Sequence, residues 1–427
     1  MKFVFSPLKF IRRLIELPHI RKILKYPISL LGSILSVFFL IILWLISPFI
    51  EIKVGGMIGQ RLGHLALNTD LFFRKQQLDK SSKQFIPIFI IGRVANRQLL
   101  KMWKRQVIII ESRVLRGLFE YSRWIWEKTN FFEPLDMFSN EYPEFNLANP
   151  TLTFTEDEEK IGKEFLRKIG IHPEKDWFVC IFARDPEYLK NEFGLQKDWS
   201  YHDYRNADIE TYKLAIDYIV GLGGFVIRMG QHVNKALNYD HPHVIDYALT
   251  LRTDFMDIYL SSKCRFVLGN TSGIGDLPMI FDRPRICANT APPTVPPFGK
   301  NCLYIPKKIK NLESKQYVTF SRFIEETIAP TTAFEFRGDC FAEKGWEYED
   351  NTAEEILDLT VEMVERLEGR FSLTAEEENL FNCYYQLFPK NHWAQKNKTP
   401  IGRVFLRQHQ HLFFEAKVPL DSNAVIV

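Results

Sequence analysis

The chain contains a succession of short apolar runs in which polar and apolar residues do not alternate. They are FIPIFII (85–91), QVIIIES (106–112), WFVCIFARD (177–185), FVIRMG (225–230), CRFVLGN (264–270) and RICAN (285–289). A strand wetted on one face reads with a period of two. Strands written as unbroken Val/Ile/Phe tracts are covered on both faces, which is the condition of a parallel sheet flanked by helices. The segments between them carry helical periodicity, as in RVANRQLLKMWKR (93–105) and NADIETYKLAIDYIVGLGG (206–224), the latter closed by glycines. This alternation predicts an α/β fold.

The alternation occurs twice. A first series opens with IEIKVGGMIGQRLGHLALNTDLFFRKQQ (50–77), which reads as strand, glycine-bearing loop and helix. A second follows FTEDEEKIGKEFLRKIGIHPEKD (154–176), an acidic-started amphipathic helix with a Gly stop. At 427 residues the chain is too long for one ordinary core. The expected organisation is a membrane-anchoring segment (1–50), a first Rossmann-like doubly wound domain (51–153), a second (154–370) and a helical tail (371–427). Within the second, TAEEILDLTVEMVERLEG (352–369) reads as a capped helix.

The first fifty residues differ from the rest. PLKFIRRLIELPHIRKILKY (7–26) alternates apolar and basic residues at helical spacing, with Leu8, Ile11, Leu14 and Ile15 on one side and Lys9, Arg12 and Arg13 beside them. That is the pattern of a helix on an anionic membrane face, broken or kinked at Pro18. ISLLGSILSVFFLIILWLISPFI (28–50) holds no charge and is long enough to cross a bilayer. Basic residues flank it on both sides, including Lys53, Arg61, Arg74 and Lys75, so the charge bias leaves crossing and re-entry both open.

Other properties narrow the partners. A net charge of +3, with no basic stripe interleaved with aromatics, argues against nucleic acid. Cys180, Cys264, Cys287, Cys302, Cys340 and Cys383 are scattered, with no CxxC and no zinc spacing, as expected of reduced thiols.

The candidate chemistry lies at strand ends. In FVLGNTSGIGDLPMIF (266–281) a strand delivers Asn270, Thr271, Ser272 and Gly273 to the carboxyl edge of a sheet. Gly273 and Gly275 are read as freeing the backbone so that N–H groups converge on a phosphate, ahead of a helix starting near Asp276. Arg184 leaves another strand in FARDPEY (182–188), and Arg228 and Arg252 stand at a further strand end and helix start. SYHDYRNAD (200–208) groups His202, Asp203 and Arg205. Several guanidiniums so placed suit a doubly anionic ligand. In the first domain GQRLGHL (59–65) supplies Arg61 as an acceptor contact and His64 as a base whose ordinary pKa lies near working pH. No DxD occurs in the second domain, so no metal is expected, and arginines and backbone amides take the leaving diphosphate.

Two doubly wound domains facing a shared crevice form the GT-B architecture of many glycosyltransferases and of one epimerase class. RLGHLALNTDLFFR, ANRQLLKMWKR, FARDPEYLK, WSYHDYRNADIETYKLAIDYIVGLGGFVIRMG, TDFMDIYLSSKCRFVLGNTSG and FDRP resemble a bacterial glycosyltransferase family associated with surface-polysaccharide genes. The likeness covers roughly residues 52–300. It implies a GT-B fold and a nucleotide-sugar donor, used as substrate with no further cofactor. Where the family pattern has a His two places before the Arg of ARD, this chain has Phe182.

The expected function is metal-independent transfer of a sugar to a membrane-linked glycan or lipid. His64, Asp203 and His202 are the catalytic candidates. Arg184, Arg205, Arg228, Asn270, Thr271, Ser272 and Gly273 are the donor-binding ones. The body is expected at the cytoplasmic side of the inner membrane. Two other readings stay open, a nucleotide-sugar epimerase of the same fold and a catalytically degenerate membrane scaffold, to which Phe182 points.

Overall fold

The computed structural model describes residues 18–79, 84–135, 142–186, 200–233, 235–327, 341 and 343–413, without the side chains of 18–25 and 200–202. The chain divides into two compact units, residues 1–72 with 79–137, and residues 73–78 with 138–427.

In the first unit, α1 (Pro18–Ile46) is one helix that runs through Pro27 without ending. Its Tyr26–Ile46 portion is, by length and composition, apolar enough to cross a membrane. The stretch 7–17 of the basic amphipathic segment lies outside the described residues. Strands β1 (Ile52–Gly56), β2 (Ile86–Ile91) and β3 (Ile108–Glu111) pair in parallel, in register at Val54–Ile88 and Ile90–Ile110. Helices α2 (Leu62–Leu78, whose residues 73–78 count with the second unit), α3 (Arg97–Trp103) and α4 (Arg113–Trp126) connect or follow them. Asn96 and Ser112 cap α3 and α4 by accepting from Leu99 N–H and Leu115 N–H. The strand order is β1-β2-β3. Among the described residues the order never reverses, so this sheet is parallel but not doubly wound as the sequence suggested.

The second unit holds six parallel strands, β4 (Phe178–Ile181), β5 (Phe225–Arg228), β6 (Val244–Ile245), β7 (Val267–Gly269), β8 (Arg285–Thr290) and β9 (Cys302–Pro306). Their order is β6-β5-β4-β7-β8-β9. The chain steps outward from β4 to β6, returns to the other side of β4, and steps outward again to β9. This is the doubly wound arrangement, and its reversal falls between β4 and β7.

Alternate residues of β4 serve opposite faces. Phe178, Cys180 and Phe182 pack with Leu166, Tyr259 and Leu260 of α5 (Glu156–Lys168) and α7 (Asp254–Lys263). Val179 and Ile181 pack with Ile216 and Ile219 of α6 (Lys213–Gly221) and with Ile356, Leu359 and Met363 of α9 (Ala353–Leu367). Thr155 with Glu158, and Thr352 with Glu355, close reciprocal caps at the starts of α5 and α9. Between β9 and α9 lie α8 (Phe320–Thr327) and an antiparallel pair, β10 (Lys308–Asn311) with β11 (Trp346–Glu349).

The described part of the segment read as a tail, 371–413, sends several side chains into the core. Tyr384, Phe388, Trp393, Phe405 and Phe413 are buried in the same cluster as Ile356 and Leu359, each such side chain contributing about 1.5–3 kcal/mol of burial. Ile401 runs beside β9, with Tyr304 N–H donating to the Pro400 carbonyl (3.1 Å) and Gly402 N–H to the Tyr304 carbonyl (2.8 Å). Arg74, read as part of a basic flank, is fully buried and pairs with Asp282 at 2.9 Å inside the second unit.

Candidate functional site

Because β4 and β7 are parallel neighbours across the reversal, the loops leaving them start from the same sheet edge. In an open α/β sheet this is where ligands bind. One loop is Phe182 to Arg184. The other begins at Asn270, which is 1% exposed and ties the edge together. Its Oδ1 accepts from Arg184 N–H (2.9 Å), and its Nδ2 donates to the Arg205 carbonyl (2.7 Å). The Arg184 guanidinium donates to Asn206 Oδ1, and Asn206 Nδ2 donates to Asp203 (2.9 Å). Ala207 N–H returns to the Arg184 carbonyl at 3.2 Å. The loop over 203–207 is thereby fastened to both strand ends.

The edge gathers cations beside carboxylates, Arg184, Arg205 and Lys307 with Asp203 and Asp350. Burial, and then the neighbouring Arg205 charge, lower Arg184 to about 10, so it stays protonated at neutral pH. Lys307, just past β9, is 3% exposed. Its ammonium donates to the Asn206 carbonyl (2.7 Å) and pairs with Asp350 (2.5 Å). Burial pulls its pKa down against the pull of Asp350, and the Arg184 charge pushes the same way as burial. Arg184, Arg205 and Lys307 therefore feel one another's charge or share the Asn206 hub. Two or three fixed cations around a buried amide clamp can hold a diphosphate by charge-assisted hydrogen bonds.

No family model matches the chain. A search of curated proteins also finds no match. Solved structures similar to it include glycosyltransferases. One is a family 9 glycosyl transferase from Veillonella parvula, with a TM-score of 0.46 and 10% identity over 74% of this chain and 98% of that one. Another is the ADP-heptose lps heptosyltransferase II of E. coli, with a TM-score of 0.39 and 14% identity over 60% of this chain and 90% of that one. A third is E. coli heptosyltransferase WaaC with ADP, with a TM-score of 0.30 and 12% identity over 60% of this chain and 93% of that one.

The structure brings Arg184, Arg205, Asp203 and Asn270 together and sends other candidates elsewhere. Thr271 is exposed and Ser272 half-buried after Asn270. The expected helix near Asp276 is replaced by two short 3₁₀ turns, Gly273–Asp276 and Pro278–Phe281. Asp276 is no cap. Burial raises it to about 6 while Arg285, 3.3 Å away, draws it down. Neither Gly273 nor Gly275 has the positive φ expected of it. The glycines flanking this loop are small for another reason. A Cβ on Gly269 or Gly275 would stand 2.4 or 2.7 Å from the ring of Phe182, which is buried against them.

Arg228 is 2% exposed and spent on structure, pairing with Asp246 (3.0 Å) and donating to the Lys235 carbonyl (2.8 Å). Arg252 likewise pairs with Asp254 and Asp257 at the start of α7. The His202 side chain lies outside what is described. In the first unit, Arg61 is exposed just before α2 and His64 is half-buried, its Nδ1 3.3 Å from Asn68 Oδ1 one turn on.

Sequence reasoning missed Lys307, Asp350 and the bridging role of Asn206. Only the run IPKKIK (305–310) following an apolar stretch could have flagged the lysine.

Proposed function

We propose that this protein is a glycosyltransferase that moves a sugar from a nucleotide-sugar donor to a membrane-linked glycan or lipid in surface-polysaccharide assembly. The single observation behind this reading is the strand-order reversal at β4 and β7, whose carboxyl edge gathers Arg184, Arg205, Lys307 and the Asn270 clamp. On this reading those cations hold the donor diphosphate without a bound metal. The acceptor hydroxyl gives its proton to a base, its oxygen bonds the anomeric carbon, and the anomeric C–O bond breaks with its electron pair passing to the diphosphate. The cations stabilise the charge that develops there. Asp203 and His64 are the candidate bases, and Arg61 is a candidate acceptor contact. On this reading the body works at the cytoplasmic face of the inner membrane.

The test is calorimetric titration of the full chain in nanodiscs with UDP, ADP, GDP, CMP and their sugars. One nucleoside diphosphate should bind, and Arg184→Ala and Lys307→Ala should each weaken it roughly 10- to 100-fold, the worth of one charge-assisted bond. No binding by any of them, or unchanged binding by both variants, would overturn the reading. Phe182 favours a second reading, a degenerate scaffold. Donor binding with no sugar transfer to membrane extract would support it, and interconversion of the donor without an acceptor would indicate the epimerase.

A further inference from the structure

α1 is docked lengthwise on the first unit. Gly32 and Ser36 are buried, and Ser29, Ser33, Leu40, Leu43 and Ser47 are half-buried, all on one side at helical spacing. On the opposite side Leu31, Ile34, Phe38, Ile41 and Leu45 are each 51–59% exposed.

The docked side is a seam of small residues against α4. A Cβ on Gly32 would stand 2.7 Å from the Leu118 carbonyl. Ser29 Oγ donates to the Tyr121 carbonyl at 3.1 Å. Trp126 Nε1 donates to Ser36 Oγ (2.8 Å), which lies 2.8 Å from Ser122 Oγ. Close backbone approach and buried hydroxyl bonds make this a fixed joint. α4 is itself packed on β1 and β2, and α1 runs into β1 within six residues of its end.

The joint decides how a bilayer can meet this helix. If Tyr26–Ile46 crossed the membrane, α4 would enter the hydrocarbon beside it. It would carry Arg116, Glu120 and Arg123, with Glu127 just beyond its end, which form ion pairs along its far side. Even the lowest scales put a charged side chain at about 2.5–3.5 kcal/mol at the bilayer centre.

We propose that α1 and α4 form one in-plane membrane-contact face, and that its occupant is a bilayer containing anionic lipid. The stripe Leu31 to Leu45 sinks into the acyl boundary along its length. Val114, Tyr121 and Trp124, exposed on α4, meet the headgroup level. Charge fits this occupant. Arg21, Lys22 and Lys25 precede the apolar portion of α1, and Lys128 sits 5.3 Å over the Trp124 ring. The inference stands apart from the sugar-transfer reading, since it uses no residue of the second unit.

The experiment places single cysteines at 31, 34, 38, 41 and 45 of α1 and at 114 and 124 of α4, in the full chain with Cys340 and Cys383 replaced by serine. Each is nitroxide-labelled, and its depth is read by oxygen and nickel accessibility in vesicles of zwitterionic and anionic phospholipid. All seven sites are exposed, so labelling leaves the packing intact. The five α1 labels should share one shallow depth, and those at 114 and 124 should sit at the headgroups. Removal of the anionic lipid should lower vesicle binding at least ten-fold. Any of three outcomes would overturn the proposal. They are a depth profile that peaks at 38 and falls toward 31 and 45, aqueous labels at 114 and 124, or spin–spin broadening that reveals a second copy on this face.

Discussion

Phe182 and Gly269 offer a sharp test of why the loop at the sheet reversal is written with small residues. A methyl group on Gly269 would lie 2.4 Å from Phe182 Cζ, so Gly269→Ala forces the ring or the β7 backbone to move. Overpacking of this kind costs about 1–3 kcal/mol. Phe182→Ala alone leaves a cavity under the loop at a cost of about 3–5 kcal/mol. In the double variant the added methyl enters vacated space, so Gly269→Ala should cost close to nothing there. The coupling energy should be about 1–3 kcal/mol. Hydrogen exchange at the Phe182 amide, which donates to the Leu268 carbonyl at 3.1 Å, gives the opening free energy of this part of the second unit in each variant. If the two substitutions add within about 0.5 kcal/mol, the ring is not the reason for the glycine. If Gly269→Ala leaves exchange unchanged but abolishes nucleotide binding, the glycine serves a phosphate instead.

Three further outcomes are expected. Arg228→Ala should destabilise the second unit by about 3–5 kcal/mol by leaving Asp246 uncompensated, while nucleotide affinity in the folded protein, read by calorimetry, changes less than two-fold. Burial resists ionisation of Glu355, but bonds from His409, Thr352 N–H and Lys308 hold its pKa down at about 2. Its folded pKa lies below the unfolded one, so its contribution is present above about pH 4.5 and lost as pH falls toward 2. The urea midpoint of Glu355→Gln should therefore fall less steeply than that of the parent over this window. Gly32→Val should open the joint between α1 and α4, seen as faster trypsin cleavage at Arg116 and Arg123. Unchanged cleavage would mean that the seam tolerates a branched side chain.

Much of the second unit was legible because its strands are buried on both faces. Tracts such as VCIF and FVIR can be nothing but covered strands once helical segments separate them. The capped helix that opens at Thr352 was legible too, since capping is a local matter. What could not be read depended on distant partners. Arg228 and Arg184 both stand near strand ends, and only the position of Asp246 commits the first to structure. The glycine cluster looked like a bid for unusual backbone angles, whereas the constraint is a ring from the neighbouring strand. Lys307 reaches the candidate site because β9 lies two strands from β7, a fact about topology. The polar, aromatic-dotted segment beyond residue 371 hid its apolar face until it was wrapped on the sheet.

The short pairing of Ile401 with Tyr304 has a bearing on any attempt to trim the protein. A fragment stopping after α9 would keep every strand of the six-stranded sheet yet leave the outer backbone of β9 bare. A naked strand margin of Cys302–Pro306 character is an invitation to self-templated aggregation. Such fragments should be recovered as insoluble material rather than as a soluble minimal sheet.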